Sequence, residues 1–597
     1  MANLVAPVAM LEPIEEQIMQ FKGLNRRSYI EDGEMPDMEN LSADDFPLLS
    51  PRKSRTRVRL DSSIVKPLQI IARYGRLAML ATDSNNDVYF WFDGVRRTAV
   101  TGLSTSSRMV AINTKICFFP DKTYIEILPN GTSYTMGSFG HLEEEQTVSG
   151  TPFTLTTEYG KFDVPANHSF KYDDAITLRA SVTYTNTNNV SVTKTVSTSC
   201  LIEAVENDNT ICIAADVFML TDADTSKAMT ITATLSRTMG NIELDHVIEW
   251  NNRLWGASNE DNTIYACKLG DPTNWQYFQG TSLDSYYATQ GTDGIWSGVA
   301  AYSGHIIFFK PNGMCRIYGT APSNYQVTNT KCYGVEDGSS LSVVTINDVV
   351  YYKSLIGIMA YSGGTPVCIS DKLTTEFANV VAGSEGSKYY ATVQKKTNED
   401  AFEFIVFDID KGLWLREDNL KIRSCCAINN RLYVSTFEGS SLVCSDTLYC
   451  DPYLVETIEN TQGALYIINP PERDDDWSDL VAWHYNSEDM VYEPEYEKIA
   501  WRAVFGPFHE YLETRKIYSK LALRLKANAE SSAAVYIAID DGDWELVKEY
   551  PSVSTSGERI PIIPRRCDRY SVKIEGEGGC EIVSLTRHVR KGSYGKL

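Results

Sequence analysis

The chain has 597 residues, of which 43% are hydrophobic, and it carries a formal net charge of −23. The length suggests about three or four domains, and the apolar fraction is enough to build buried cores. An acidic surface argues against a protein that grips nucleic acid by its phosphates. It fits simple solubility, which we favour, or a channel wall that repels DNA and lets it slide.

Composition also favours β structure. Tyrosine is abundant, with 34 residues, and long Ala/Leu/Glu/Lys tracts are missing. The 13 cysteines show no metal-ligand spacing, and the odd count, with no basic leader sequence, predicts reduced thiols made in a cytoplasm. No run of 18 apolar residues occurs, so no membrane span is expected.

Residues 1–60 predict an extended N-terminal arm, because Pro36, Pro47 and Pro51 interrupt regular structure. Isolated apolar side chains recur among the polar ones, and such a segment cannot bury them in a helix or hairpin of its own. We therefore predict that they contact a neighbouring subunit or another protein, and that removing residues 1–60 leaves the monomer folded. The candidate assembly contacts are Leu24, Met35, Met38, Leu41, Phe46, Leu48 and Leu49.

A basic alternation closes this arm. Lys53, Arg55, Arg57 and Arg59 share one face if the segment is a strand. The pattern predicts contact with an acidic neighbour or with DNA, or else a solvated face.

From residue 61 onward, apolar strands alternate with turns that contain Asn, Gly or Pro, which is typical of β-hairpins. The clearest run extends from Trp250 to Ser370. The sequence Asn251-Asn252-Arg253-Leu254-Trp255 is echoed by Asn429-Asn430-Arg431-Leu432-Tyr433. This recurrence predicts a β-propeller over 61–144 and 241–455, with about six to eight blades.

Three further segments complete the predicted architecture, which is mainly β. A Thr-rich stretch at 145–240 predicts a small β-barrel inserted between blades. Residues 456–500 predict an acidic connecting segment, where Glu493, Glu495 and Glu497 leave a metal site conceivable, although we favour a solvated loop. Residues 501–597 alternate cleanly and predict a C-terminal β-sandwich.

The sequence nominates no catalytic residue. It contains no G-x-S-x-G, P-loop, H-E-x-x-H or G-x-G-x-x-G motif. A glycosidase needs two opposed carboxylates in a pocket, and no pair stands out. Asp540-Asp541-Gly542-Asp543-Trp544 is similar to an Asp-box or a calcium loop, although a tight hairpin turn explains it better. We therefore expect no catalytic, cofactor-binding or metal residues, no cofactor, and no enzyme activity.

The order of several hairpins resembles one protein family. Asn252-Arg253-Leu254-Trp255, Leu269-Gly270-Asp271-Pro272-Thr273-Asn274-Trp275 and Ile317-Tyr318-Gly319 are similar to the propellers of phage tail nozzle, tail tubular or stabilisation-type structural proteins. The resemblance covers roughly half of the chain. It implies a virion tail component in a homo-hexameric ring, docked on a tail adaptor or portal-associated protein. Viral DNA would pass through that ring without specific binding.

A second interpretation places the chain at the host surface. In this alternative it is a tail protein that binds host glycans, with or without hydrolysing them. The sequence supports it only through Trp91, Trp296 and Trp477, which are expected to be exposed unless they pack inside.

Overall fold

The structure is a computed structural model that describes the chain except residues 1–13, 238–241, 375, 419, 438–462, 471–476, 487–490, 510–515, 528–530, 552–555 and 592–597. The chain divides into two compact units. Unit 1 comprises residues 1–77 and 336–597, and unit 2 comprises residues 78–335. Strands account for 61% of the chain, which confirms the prediction of a mainly β protein. Within the described residues the helical segments are 3₁₀ turns at Ala215–Phe218, Pro322–Asn324 and Ser340–Ser342.

The N-terminal part of unit 1 is a series of short strands separated by irregular backbone, as expected of a segment with three prolines. The strands are β1 (Ile14–Ile18), β2 (Asp37–Glu39), β3 (Leu41–Ser42), β4 (Ser50–Pro51), β5 (Arg55–Arg57) and the longer β6 (Lys66–Arg73). Strands β3 and β4 pair with each other as a minimal antiparallel ladder.

Unit 2 begins within β7 and opens with two antiparallel meanders, in which each strand pairs with the next. The first contains β7 (Arg76–Thr82), β8 (Val88–Phe92) and β9 (Val95–Arg96). The second contains β10 (Arg108–Ile112), β11 (Lys115–Phe119), β12 (Thr123–Asn130) and β13 (Ser133–His141).

A closed six-stranded barrel follows in the range where the sequence predicts one. Its strands are β14 (Glu144–Leu155), β15 (Tyr159–Asp163), β16 (Ala175–Thr185), β17 (Ser191–Asn207), β18 (Thr210–Ala214) and β19 (Met229–Arg237). Alternate residues of β16 are buried, so its threonines lie outside a core of its own apolar side chains. The prediction of a small β-barrel is confirmed, while its insertion between propeller blades stays a prediction.

Two more four-stranded meanders complete unit 2. They contain β20 (His246–Trp250), β21 (Arg253–Ser258), β22 (Thr263–Ala266) and β23 (Tyr286–Thr289), then β24 (Gly298–Tyr302), β25 (His305–Lys310), β26 (Gly313–Tyr318) and β27 (Gln326–Lys331).

Unit 1 resumes with the same kind of sheet. Its next two meanders are β28 (Val344–Ile346), β29 (Val349–Ser354), β30 (Gly357–Tyr361) and β31 (Val367–Cys368), then β32 (Phe377–Glu385), β33 (Lys388–Lys395), β34 (Asn398–Asp408) and β35 (Leu413–Glu417). A six-stranded sheet follows with β36 (Ile422–Ile428), β37 (Arg431–Thr436), β38 (Leu465–Ile468), β39 (Ser478–Asn486) and β40 (Val491–Lys498). Strand β5 from the arm lies between β38 and β39 in this sheet.

The C-terminal part of unit 1 forms two sheets, each with an arm strand at one edge. Its strands are β41 (Ala500–Phe508), β42 (Lys516–Ala527), β43 (Ser532–Ile539), β44 (Glu545–Tyr550), β45 (Ser556–Cys567), β46 (Tyr570–Glu577) and β47 (Cys580–Lys591). The strand orders are β1-β47-β42-β45 and β2-β41-β46-β43-β44. The closure of the meanders into a propeller and the stacking of these two sheets as a sandwich stay predictions, as do the predicted domain boundaries.

The repeated turns have a simple backbone cause. Asn251-Asn252 and Asn429-Asn430 each connect the first two strands of a sheet, and all four residues have φ between 50° and 60°. Two-residue hairpins of this kind need positive φ at both central positions, where asparagine is tolerated best after glycine. The repeated Asn-Asn pair in the sequence therefore corresponds to the same type of turn between the first two strands of two different sheets.

The arm does not extend away from unit 1. Strands β1 and β2 pair with β47 and β41, and β5 pairs with β38. The Leu24 amide donates to the carbonyl oxygen of Trp414 at 2.6 Å, and the Asn40 amide donates to that of Arg416 at 3.0 Å. The premise that the arm has no place on its own chain is therefore wrong, because its partners are strands more than 350 positions away.

Candidate functional site

The predicted assembly contacts lie mostly inside unit 1. Five of them are at most 2% exposed and belong to its large hydrophobic core: Leu24, Met35, Met38, Leu41 and Leu49. Phe46 and Leu48 are half-buried. The five buried side chains have almost no surface to offer a partner, so an assembly role, which stays a prediction, would fall on Phe46 and Leu48.

The basic face of the arm meets an acidic neighbour within the chain itself. Arg55 contacts Glu417 at 2.6 Å and Asp418 at 2.7 Å. Arg52, which the alternation does not include, contacts Asp418 at 3.2 Å and Asp479 at 2.6 Å. Burial alone would raise the pKa of Asp418, but Arg55 and Arg52 outweigh it and lower the pKa.

Arg57 and Arg59 of the alternation also have partners within the chain. The Arg57 guanidinium donates to the carbonyl oxygen of Val481, and the Arg59 guanidinium lies 3.5 Å from the Tyr492 ring centroid. The predicted acidic neighbour of Arg55 is thus within the chain itself, at Glu417 and Asp418 at the end of β35, and these contacts do not require DNA.

This arginine network forms one wall of a cleft of 610 Å³ in unit 1, which we call the acidic cleft. The arm, the six-stranded sheet and the C-terminal sheet of β41, β43, β44 and β46 all contribute to it. Its lining includes seven carboxylates and three cationic side chains: Glu39, Asp418, Asp479, Glu497, Glu549, Glu575, Glu577, Arg52, Lys498 and Arg502. Asn40, Trp501 and Tyr550 also line it.

One wall of the acidic cleft is held in place by ion pairs and hydrogen bonds. Arg502 contacts Glu39 at 2.8 Å, and Arg52 donates from Nε to the Asn40 side-chain oxygen at 2.8 Å. Asn40 adopts φ 54°, and its side-chain amide nitrogen Nδ2 donates to the carbonyl oxygen of Ala500. These bonds fix planar polar groups in place before any ligand arrives.

The opposite wall carries carboxylates that face water. Glu549 on β44 and Glu577 on β46 are exposed, and no salt bridge to them occurs in the described part of the chain. They are free to accept hydrogen bonds from a ligand, which a paired carboxylate could do only by giving up its cation.

A second acidic centre in unit 1 has a shifted pKa. Glu385 ends β32 and lies opposite Lys388, the first residue of β33. One carboxylate oxygen of Glu385 accepts from the Asn469 side-chain amide and from the Tyr390 hydroxyl at 3.5 Å. Burial raises the pKa of Glu385 to about 7, although Asn469, Lys388 and Tyr390 act in the opposite direction.

Asp44 is the ionised partner of this centre. The Lys388 ammonium lies 2.5 Å from Asp44. Burial would raise the pKa of Asp44, but Lys388 outweighs it and lowers the pKa. One carboxyl that keeps a proton near neutral pH therefore lies near one that is ionised, which is the division of roles that acid–base catalysis uses. We call Glu385 and Asp44 the acid pair.

Sequence patterns alone find neither the acidic cleft nor the acid pair. Asp44, Glu385 and Asn469 come from three distant parts of the chain, and no local spacing connects them. The only hint of these sites in the sequence is the abundance of acidic residues, and a soluble surface explains that abundance equally well.

Several other predicted features can be placed. Trp91 and Trp296 are 6% and 1% exposed, so they pack inside, which is one of the two alternatives that the sequence left open, while Trp477 is half-buried. Asp540-Asp541 forms a tight turn between β43 and β44, with φ 47° and 60°. Glu493, Glu495 and Glu497 lie on exposed β40. The described residues contain no cluster of three or more potential metal ligands.

Neither disulfides nor membrane-spanning helices occur in the described part of the chain. Eleven cysteines within the described ranges are free thiols, while Cys444 and Cys450 lie outside them. None of the helical segments in the described part of the chain has the length and hydrophobicity to cross a bilayer.

Comparison with known proteins gives distant likenesses. No protein-family model and no curated protein matches the sequence. Solved structures similar to the chain include the phage phi92 endosialidase, at 9% identity over 74% of each chain with a TM-score of 0.26. An exo-beta-1,3-galactanase from Phanerochaete chrysosporium, at 10% identity over 59% of this chain and 97% of that chain, has a TM-score of 0.23.

A third similar structure is PorZ, a bacterial surface component of the type-IX secretion system of Porphyromonas gingivalis. It is 12% identical over 90% of this chain and 78% of that chain, with a TM-score of 0.25. Likeness at this level assigns no reaction to the chain. The expectation that the chain is not an enzyme is nevertheless contradicted, because enzymes that act on glycans are among these structures, and it is withdrawn.

Proposed function

We propose that the chain is a phage tail protein that binds a host-surface glycan in the acidic cleft. The observation that carries this proposal is the lining of the cleft. On one wall, ion pairs fix planar polar side chains in place. On the other wall, exposed carboxylates can accept hydrogen bonds from a ligand. A sugar offers many hydroxyl groups, each of which can donate to a carboxylate and accept from an arginine.

The charge of the cleft selects the class of glycan. Seven carboxylates against three cations leave the lining negative, which repels nucleic acid and acidic polysaccharides. A volume of 610 Å³ falls within the range of about 300–1,000 Å³ found for small-ligand sites. A neutral oligosaccharide therefore fits this cleft best.

The acid pair, which is not part of the lining of the acidic cleft, is a separate candidate site for glycan hydrolysis. Glycoside hydrolysis needs a carboxylic acid that protonates the leaving oxygen and a second carboxylate that acts as base or nucleophile. Glu385, with its pKa raised to about 7, suits the first role, and ionised Asp44 suits the second.

Glycan-array binding by the full-length protein tests the proposal. We expect retention on neutral host-surface oligosaccharides and none on acidic ones. The double variant E549A/E577A removes two exposed carboxylates of the cleft and should weaken binding by about tenfold or more. E260A, which removes an exposed carboxylate from a turn in unit 2, is the control and should bind like the wild type.

Two results would contradict the assignment. If the protein binds no neutral glycan, the proposed function is wrong. If E549A/E577A binds as the wild type does, the glycan does not bind in the acidic cleft. Release of reducing ends from a bound glycan measures hydrolysis separately, and its loss in E385Q with binding retained would place the chemistry at the acid pair.

The architecture also carries a proposal. We infer that the seven sheets between β6 and β40 other than the six-stranded barrel are the blades of a propeller, with β5 completing the last blade, and that the two C-terminal sheets stack as a sandwich. Insertion of an N-terminal strand into the last blade is a known way to remove a free sheet edge. An experimental density map with a ring of seven blades would support this, and an open row of sheets would refute it.

A ring-forming role in the virion is the second candidate function. It is favoured by the resemblance at Asn252–Trp255 and its structural echo at Asn430–Tyr433. In this role the chain forms a homo-hexamer on a tail adaptor, and DNA passes through an acidic lumen. Native mass spectrometry tests it: a hexamer of 66.9 kDa subunits supports the ring, and a monomer at all concentrations refutes it.

A further inference from the structure

The outer face of one C-terminal sheet in unit 1 carries the opposite charge from the rest of the chain. Residues 501–597 contain 16 lysines and arginines and 13 acidic residues, whereas the whole chain has a net charge of −23. The sheet with the strand order β1-β47-β42-β45 places Leu521, Leu523, Leu585 and Val589 in the hydrophobic core. Because side chains alternate along a strand, the residues next to these four in the sequence lie on the opposite face of the sheet.

Five cations lie on this outer face, on three adjacent strands. Arg566 of β45 and Arg590 of β47 are opposite the same residue of β42. Lys520 and Arg524 belong to β42 itself, and Arg559 of β45 is opposite the residue midway between them. Lys520 is half-buried, and the four arginines are exposed. We call these five residues the basic face.

The cations of the basic face have no partner of opposite charge. Within the residues that the structure describes, their side chains form no salt bridge and no hydrogen bond. Other cations of the same C-terminal part are paired: Lys526 contacts Glu581 at 2.8 Å, and Arg565 contacts Glu545 at 2.7 Å. Carboxylates are plentiful in a chain with 78 acidic residues. The unpaired cluster therefore indicates an anion that the chain itself does not supply.

His588 shows how closely the cations are grouped. It is 5% exposed and lies on β47, opposite Lys520. Desolvation lowers the pKa of His588, and the charges of Lys520 and Arg559 lower it further, although Glu15, 3.0 Å away, acts in the opposite direction. Like charges on neighbouring strands repel each other. An anionic ligand in contact with several of these cations would therefore remove a repulsion that the fold retains.

We propose that the basic face binds a linear polymer that carries a phosphate group in each repeat. Four of its five cations are arginines, and a guanidinium can donate two parallel hydrogen bonds to one phosphate. Positions on neighbouring strands are about 5 Å apart, and positions two residues apart along a strand are about 7 Å apart. An extended polymer can therefore bring a separate phosphate to each cation, whereas a single phosphate cannot.

The composition of the basic face argues against two other anionic partners. Proteins that bind single-stranded nucleic acid stack the bases on aromatic side chains, but the positions between the cations hold Ile517, Ala522, Pro561 and Thr586. Acidic proteins bind through interfaces with an apolar centre and charges at the rim. Here every row of the sheet from Ile517 to Arg524 contains a cation, so no apolar centre is left.

The proposal does not rest on glycan binding, since none of the five cations lines the acidic cleft. Isothermal titration of the full-length protein tests it with four probes. They are inorganic polyphosphate of about 20 units, inorganic phosphate, and single-stranded polythymidine and polyglutamate of the same charge as the polyphosphate. We expect polyphosphate to bind most tightly and inorganic phosphate at least about 100-fold more weakly, because the contacts within one polymer act together. The affinity for polyphosphate should fall as the salt concentration rises.

Charge-reversal variants locate the binding. R524E/R559E reverses two charges of the basic face and should weaken polyphosphate binding by about tenfold or more. R179E makes the same change at an exposed arginine of β16 in unit 2, and as the control it should bind like the wild type. If R524E/R559E fails to fold, R566Q/R590Q, at the other end of the basic face, takes its place with the same expectation.

Four results would overturn the proposal. The first is no polyphosphate binding at about 50 mM salt, where electrostatic binding is strong. The second is binding of polythymidine or polyglutamate that is as tight as that of polyphosphate or tighter. The third is equal affinity for inorganic phosphate and polyphosphate, and the fourth is unchanged polyphosphate affinity in the folded variant.

Discussion

Glu385 illustrates how much its surroundings change a single carboxyl group. An ordinary glutamate is ionised at neutral pH, but burial at the end of β32 raises the pKa of Glu385 to about 7. The native state therefore holds a proton that the unfolded chain releases near pH 4.5. Because the native state binds more protons between these values, stability falls as the pH rises from about 4.5 to about 7.

The variant E385Q tests this linkage. A neutral amide removes the cost of ionising a buried group, so we expect E385Q to be more stable than the wild type by about 1–3 kcal/mol above pH 8. Below pH 5 the two proteins should have similar stability, because the wild-type carboxyl is then neutral as well. Urea unfolding followed by tryptophan fluorescence at both pH values measures the difference. An equal gap at pH 5 and pH 8.5 would show that ionisation is not its cause.

The inserted barrel shows the same reasoning at the scale of an element. Glu144 and Arg237, its first and last residues, are direct partners in the ladder between β14 and β19. Arg237 is 2% exposed and contacts Asp174 at 2.5 Å, so its charge is satisfied within the barrel. The barrel thus has its own core, its own buried ion pair and adjacent ends.

We predict that the barrel can be removed and produced separately. Residues 142–238 expressed alone should give a β-type circular dichroism spectrum and a cooperative thermal transition. The chain with residues 145–240 excised should stay soluble and keep its cooperative unfolding, since short loop closure between adjacent ends costs little. A barrel that unfolds without cooperativity, together with an insoluble remainder, would show that the two parts need each other.

Hairpins could be predicted from the sequence because their cause is local. The positive φ values at Asn251 and Asn252 follow from those two residues, whatever the rest of the chain does. The barrel was predictable for a similar reason, since Thr alternates with apolar residues along single strands such as β16. Neither case depends on knowing which distant strand is the partner.

The arm and the acidic cleft could not be predicted, because their causes are not local. Nothing near Met38 indicates that Ala503 is its partner on β41, and prolines in the same stretch suggested a segment without internal partners. Glu39, Asp479 and Glu549 meet in one cleft only after two sheets of unit 1 have formed from distant parts of the chain. A single sequence carries no signal for such pairings.

For unit 1 as a whole, the arm is part of the core. Met38 is 0% exposed, whereas Met19, in the same arm, is 58% exposed. Phe21 packs against Phe505 of β41 with ring centroids 5.6 Å apart. Removing residues 1–60 should therefore destabilise unit 1, contrary to the expectation that the monomer would stay folded.

A matched pair of variants measures this. M38A should lower the free energy of unfolding by about 2–4 kcal/mol, because it leaves a cavity in a close-packed core. M19A, which makes the same change at an exposed position of the arm, should alter it by less than about 0.5 kcal/mol. Chemical denaturation gives both values. Equal, small effects would mean that the arm does not contribute to the stability of unit 1.

The pairing of β1 with β47 also sets the timing of folding. Ile18 is made 567 residues before its partner Leu585. At about 5–20 residues per second, the arm waits roughly 30 to 110 seconds before its strand partner exists. During that interval its apolar side chains are uncovered in the cytoplasm of the producing cell, so the yield of folded protein should depend on chaperones that shield nascent chains.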